Sequence, residues 1–157
     1  GDYFALGCRR REIRFVWFRI YYVYGPGQRA ESLIPMLIKA FKANRLPEIN
    51  NPLAVNDYIY VDDVISAFIK ATEDEKCHGT FNLGSGKTTS IVEIAGLVER
   101  IIRNTDNFSS ELVKKASKNK SDLGMWADIS LSERQLGWSP MVSLAEGIKL
   151  TCRSTTT

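Results

Sequence analysis

Histidine is nearly absent: His78 is the single one in 157 residues. A Ser-His-Asp or Cys-His mechanism would have to run through it. Its setting, Glu75-Lys76-Cys77-His78-Gly79, is a polar string that reads as a surface turn, with no nucleophile elbow beside it. Cysteine is sparse and odd in number. Cys8, Cys77 and Cys152 lie far apart and form no Cys-x-x-Cys pair, which argues against a disulfide framework or a zinc site and fits a reducing, cytoplasmic setting. No apolar run approaches the roughly 20 residues a membrane helix needs, and no signal peptide is visible. Charge nearly balances, 21 Lys and Arg against 18 Asp and Glu, for a net +3. That excess is too slight to argue for nucleic acid. Arg9-Arg10-Arg11, Lys114-Lys115 and Lys118-Asn119-Lys120 lack interleaved aromatics and read as solvated faces.

What is present is ordinary for a globular domain: 44% hydrophobic and 25% charged residues, in a length that suits one sizeable core. The opening Gly1-Asp2-Tyr3, without an initiator Met, reads as a cut or processed end, and the tail from Arg153 to Thr157 as a frayed one. Residues 3–11 look like the end of a helix. Residues 13–23 are rich in β-branched and aromatic types and near-continuously hydrophobic, which predicts a strand buried on both faces. Tyr24-Gly25-Pro26-Gly27-Gln28 breaks it. A helix capped by Glu31 or Ser32 follows, with Leu33, Met36, Leu37, Ala40 and Phe41 at helical spacing. A short strand over 57–61 leads to a second helix, capped by Asp62-Asp63, with Val64, Ala67, Phe68 and Ala71 on one face. Residues 80–83 form another strand. Ser90 and Glu93 make a capping box for a third helix, with Ile94, Leu97, Val98, Ile101 and Ile102 on its apolar face. Residues 110–122 are polar and weakly patterned, a helix then a loop. A short helix ends near Leu136-Gly137-Trp138, and a last one covers 144–150. Strands alternating with helices predict an α/β fold.

Three motifs invite chemistry. Gly84-Ser85-Gly86-Lys87-Thr88 resembles a phosphate-binding loop, but that motif needs a glycine where Phe81 stands, so a tight strand-to-helix turn is the better reading. Asp62-Asp63 offers two carboxylates with no further ligand at metal spacing, and helix capping accounts for them. Tyr24-Gly25-Pro26-Gly27-Gln28 is more informative, because a glycine-rich turn beyond a parallel strand is where open α/β sheets bind ligands. Tyr3 has Gly7 four positions on, so it makes no Tyr-x-x-x-Lys pair.

Several pieces, in order, resemble one family. Residues 18–28, Asn56-Asp57-Tyr58-Ile59-Tyr60-Val61-Asp62-Asp63-Val64, Thr80-Phe81-Asn82-Leu83-Gly84-Ser85-Gly86, and Leu136-Gly137-Trp138-Ser139-Pro140 with Ser143-Leu144-Ala145-Glu146-Gly147 are similar to the C-terminal half of the NAD-dependent epimerase/dehydratase family, the extended short-chain dehydrogenase/reductases that act on nucleotide sugars. The resemblance runs from about Ile13 to Leu150. It implies the C-terminal part of a Rossmann-like α/β fold: the last parallel strands plus a small mixed α/β substrate-binding domain. The chain then reads as a single partial domain, with 13–30 and 80–103 as sheet elements and 31–79 and 104–150 as the substrate lobe.

The family's Gly-x-x-Gly-x-x-Gly fingerprint, catalytic Ser/Thr and Tyr-x-x-x-Lys have no counterpart here, so no catalytic residue is assigned. The resemblance implies NAD or NADP in the complete enzyme, none bound by this chain alone, and a nucleoside-diphosphate sugar as ligand. It places Tyr21 and Tyr22 at the cofactor. It places Tyr24, Gln28, Arg29, Glu31, Ser32, Leu33, Asn56, Tyr58, Lys118 and Lys120 at the substrate. Two positions depart from the family: Tyr22 stands where Asn is usual, and Asn56 where Arg is usual. A non-catalytic binding or interaction module on the same fold is the alternative. A hydrophobic strand over 14–20 without its family neighbour predicts self-association, or pairing with the absent N-terminal half.

Overall fold

The structure, a computed structural model, describes residues 6–8, 13–105, 107–116 and 124–154. Residues 6–8 are helical, and the rest of the helix expected over 3–11 lies outside the described residues. The stretch expected as one strand divides at Tyr21. Its first part, β1 (Val16–Ile20), pairs in parallel with β5 (Gly79–Leu83), from Val16 opposite Gly79 to Ile20 opposite Leu83. Tyr21 N–H still donates to the Leu83 carbonyl at 3.0 Å, and Tyr22 N–H then donates to the Asp57 carbonyl at 3.0 Å. From there β2 (Tyr22–Tyr24) pairs in parallel with β4 (Tyr58–Tyr60). A short antiparallel pair joins β3 (Val55–Asn56) to β6 (Thr89–Ser90).

Helices make the crossovers that parallel strands require. The helix α1 (Leu33–Lys42) links β2 to β3 and β4, and α2 (Val61–Glu73) links β4 to β5. Then follow α3 (Ile91–Arg103), α4 (Asn107–Ala116), α5 (Ser130–Leu136) and α6 (Leu144–Ser154). The expected α/β fold is therefore found, with both longer pairs parallel.

Side-chain alternation along β4 sorts residues between two cores. Tyr58 and Tyr60 enter a core built by α1, α3, α4 and α6 around Leu37, Ile38, Phe41, Val98 and Ile148. Ile59, pointing the other way, joins Val64, Phe81, Leu83, Leu136 and Trp138. Fully buried residues such as Leu37 and Ile38 each contribute about 2 kcal/mol.

Local differences from the sequence reading have physical causes. β1 is not buried on both faces: Trp17 is 42% and Ile20 40% exposed, because β5 is its sole hydrogen-bonded neighbour among the described residues. The buried stripe of α1 is Ile34, Leu37, Ile38 and Phe41, with Leu33 and Met36 only packed against its margin. On α2, Phe68 is 48% exposed rather than buried, although its ring lies 4.6 Å from that of Phe18. Asp62 and Asp63 do not cap α2. The N-cap is Tyr60, and both acids lie in the first turn.

The Ser90–Glu93 capping box is present: Ser90 N–H donates to the Glu93 carboxylate at 2.7 Å and Glu93 N–H to Ser90 Oγ at 3.3 Å. Ile101 is exposed and Glu99 is buried instead. The Glu99 carboxylate accepts from Thr105 Oγ1 and Phe108 N–H, both at 3.1 Å, and so holds the start of α4. That helix begins at Asn107, ahead of the expected position, and residues 117–123 lie outside the described residues. Gly137 closes α5 at φ +60°, a left-handed value that glycine takes without strain. The last helix continues through Arg153 and Ser154, beyond the expected end at Leu150, and residues 155–157 lie outside the described residues.

Candidate functional site

Tyr22 stands opposite Tyr58 across β2 and β4, their rings 5.8 Å apart. Tyr24 and Tyr60, one step along, sit 5.6 Å apart. Beside these two tilted ring pairs opens a cavity of about 350 Å³. It is lined by Tyr22, Tyr24, Gln28, Ser32, Leu33, Asn56 and Tyr58, with Val23, Ile34 and Ile91 completing the wall. The start of α1 brings Ser32, Leu33 and Ile34 to it. The Ser32 side chain makes no capping bond, so it leaves the first-turn N–H groups uncovered. Gln28 Nε2 donates to the Val23 carbonyl at 3.2 Å, and its buried Oε1 has no partner among the described residues.

Seven of the residues assigned from sequence thus share one cavity. Tyr21, Arg29 and Glu31 do not line it, and Lys118 and Lys120 lie outside the described residues. Val23, Ile34 and Ile91 were not singled out. The strand alternation and helix phase that bring them in depend on the register of β2 with β4. Larger openings elsewhere, including one of about 470 Å³ between α3, α4 and α6 and one of about 480 Å³ beside Lys87 and Trp126, hold none of the assigned residues.

Tyr24 and Tyr58 are suited to hydrogen bonding as neutral phenols and not to acting as bases. Burial, reinforced by Asp63 and Tyr60, pushes the Tyr24 phenol well above its ordinary range. Burial also raises Tyr58, against a lowering hydrogen bond from Asn56. Neutral phenols donate one hydrogen bond and offer a ring face.

The Gly84-Ser85-Gly86 turn does cradle an anion, but the anion is the chain's own Asp57. The fully buried carboxylate accepts from Ser85 N–H at 2.6 Å, Ser85 Oγ at 2.6 Å, Gly86 N–H at 3.0 Å and Ala127 N–H at 2.9 Å. Gly84 carries no side chain because a Cβ there would press on Asp57 and Ala127. Sequence gave no hint of this: Ala127 is 70 positions from Asp57. Asp63 is likewise a long-range anchor, accepting from Met141 N–H at 2.9 Å and Val142 N–H at 3.1 Å. His78 sits exposed in its turn, Nδ1 at 2.8 Å from the Lys76 carbonyl. Cys8, Cys77 and Cys152 form no disulfide among the described residues.

Comparison with known proteins decides the family. The model of the NAD dependent epimerase/dehydratase family matches residues 3–84. The chain belongs to that family. It is 27% identical over 140 residues to the CDP-abequose synthase of Salmonella muenchen, covering 88% of this chain and 47% of that protein. Among solved structures, the UDP-glucose 4-epimerase of Thermotoga maritima, determined with UDP-glucose, superposes at a TM-score of 0.79 with 25% identity, over 98% of this chain and 50% of that one. The Bordetella bronchiseptica enzyme WbmF, in complex with NADH, superposes at 0.82 with 26% identity, over 98% and 49%. The chain therefore spans about half the length of these relatives. Its parallel strands and helices are the corresponding part of their Rossmann-like α/β fold. No helix among the described residues is long and apolar enough to cross a membrane.

Proposed function

We propose that this chain is the substrate-binding portion of an NAD(P)-dependent enzyme that remodels nucleoside-diphosphate sugars as an epimerase, dehydratase or reductase. The observation that carries the reading is the gathering of Tyr22, Tyr24, Gln28, Ser32, Leu33, Asn56 and Tyr58 around one cavity at the start of α1. Ring faces suit a base or sugar face, and hydroxyl and amide groups suit sugar hydroxyls. The N-terminal turn of α1 suits a phosphate. UDP-glucose in the Thermotoga relative supports a ligand of this class. Arg29 would supply positive charge from outside the cavity wall, and Lys118 and Lys120 are proposed as further cations for the diphosphate. The substrate lobe of this proposal is residues 31–79 and 104–150, the sheet elements being 13–30 and 80–103.

NADH in WbmF supports a dinucleotide as the cofactor of the whole enzyme, where it would carry hydride to and from a sugar carbon. This chain supplies Tyr21 and Tyr22 as one flank. Its Ser85 and Gly86 N–H groups, which have the form of a phosphate cradle, are taken by Asp57, so the residues present do not fit a dinucleotide unaided. We therefore propose that the chain alone binds no NAD(P), turns nothing over, and acts in the cytoplasm through self-association or pairing with an N-terminal half. Exposed Trp17 and Ile20 on β1, with Ile65, Phe68 and Ile69 on α2, support such a contact. Calorimetry of the purified chain with UDP, UDP-glucose and NADH tests the reading. Binding of the first two and not the third is expected, and absence of any nucleotide-sugar binding sinks it.

A further inference from the structure

We infer that Asp57 is a positioning residue of the cavity, holding Asn56 and Tyr58 in place from behind the strand; the inference rests on the reading of that cavity as the ligand site. Asp57 lies between two wall residues, and alternation along the extended chain turns its side chain to the opposite side from theirs. Its carbonyl receives Tyr22 N–H at 3.0 Å, which fixes a third wall residue. Its carboxylate is fully buried and is met by four donors from two separate segments, Ser85-Gly86 and Ala127. A buried charge held by dipoles tolerates little displacement, since any shift leaves charge unsatisfied in a medium of low polarity. The backbone between Asn56 and Tyr58 is thereby pinned to the Gly84-Ser85-Gly86 turn, where Gly84, by lacking a Cβ, leaves the space that the Asp57 carboxylate fills.

Asp63 provides a matched control. It is also buried, at 3% exposure, and its carboxylate also accepts two backbone N–H groups, but those belong to Met141 and Val142, which do not line the cavity. Loss of either carboxylate lowers stability. Asp63 reaches the cavity only by reinforcing the rise of the Tyr24 phenol, which burial keeps neutral at neutral pH with or without that charge, so at neutral pH only loss of Asp57 should move ligand affinity.

The experiment compares Asp57→Asn and Asp63→Asn in the full chain, well below both melting midpoints, by calorimetry with UDP-glucose. Asp57→Asn is expected to raise Kd by about tenfold or more, and Asp63→Asn to leave it within about twofold. Equal effects, or an unchanged Kd in Asp57→Asn, overturn the inference. Should Asp57→Asn fail to fold, Ser85→Ala removes one donor to the same carboxylate. It should raise Kd severalfold, with Ser85→Thr, which keeps the hydroxyl, restoring it; failure of either arm counts against Asp57. If the wild-type chain binds no UDP-glucose, the reading of the site fails on its own account. The positioning claim is then decided by NMR. Ring signals of Tyr22 and Tyr58 must shift in the Asp57 or Ser85 variant and stay put in Asp63→Asn, and unshifted rings refute it.

Discussion

The Trp138 indole donates through Nε1 to the backbone carbonyl of Asp63 at 3.0 Å, while the carboxylate of that same Asp63 takes the N–H groups of Met141 and Val142. The first turn of α2 and the segment between α5 and α6 are therefore fastened at both ends of one residue. Truncation leaves two backbone donors without their acceptor. Asp63→Ala is expected to lower unfolding free energy by about 3 kcal/mol, measured by urea denaturation, with the slope of the transition unchanged.

Gly147 on α6 faces the Tyr24 hydroxyl and the Tyr60 ring so closely that an added methyl group would overlap both. Gly147→Ala should cost about 2 kcal/mol of stability despite its gain in helix propensity. Tyr24→Phe in the same chain should return part of that loss by removing the nearer atom. A double-mutant cycle that shows strict additivity would contradict the contact.

Tyr22 is 58% exposed, so Tyr22→Ala should change stability by no more than about 0.5 kcal/mol. Its ring lines the proposed ligand cavity. UDP-glucose affinity should therefore fall by about tenfold, as expected where a stacking face is lost. Calorimetry and thermal melting on the same preparation separate the two quantities.

Alkaline pH should unfold the chain through its buried phenols. Burial raises Tyr24, Tyr58 and Tyr60 above the ordinary tyrosine value of 10.0 in the folded state. The unfolded phenols ionise near 10.0 while the folded ones stay neutral. Stability is therefore fully present below that pH and falls as pH rises past it. Absorbance of tyrosinate should appear together with loss of far-ultraviolet signal, and Tyr24→Phe should flatten the decline.

Light scattering should report dimers of the purified chain, because β1 has one edge without a strand partner among the described residues and carries exposed Trp17 and Ile20. Trp17→Lys, which places a charge on that edge, should shift the population to monomer. A wild-type chain that is monomeric at all concentrations would contradict the edge contact.

Features set by near neighbours were legible in the sequence. The Ser90–Glu93 capping box, the end of the short helix near Leu136-Gly137-Trp138 and the turn after Tyr24 each depend on residues a few positions apart, and each is found. Most of the cavity wall was legible too, through the order of family motifs. What escaped was set at long range. Asp63 carries the look of a helix cap, and only the approach of Met141 and Val142 turns it into an anchor. Ile34 displaced Leu33 and Met36 from the buried stripe because α1 packs on α3 in a phase that helical spacing alone leaves open. β1 read as fully buried because hydrophobicity reports what a strand needs, and not whether a neighbour is there to supply it.

The change of partner at Tyr21 has a mechanical consequence. One extended segment is bonded first to β5 and then to β4, so it acts as a tie rod between the strand pair at β5 and the cavity beside β4. A force applied along β1 is delivered to Tyr22 at the mouth of the cavity within two peptide units. A single inserted residue at Tyr21 would leave β1 seated, slip the downstream segment by one position and turn the ring of Tyr22 to the wrong side.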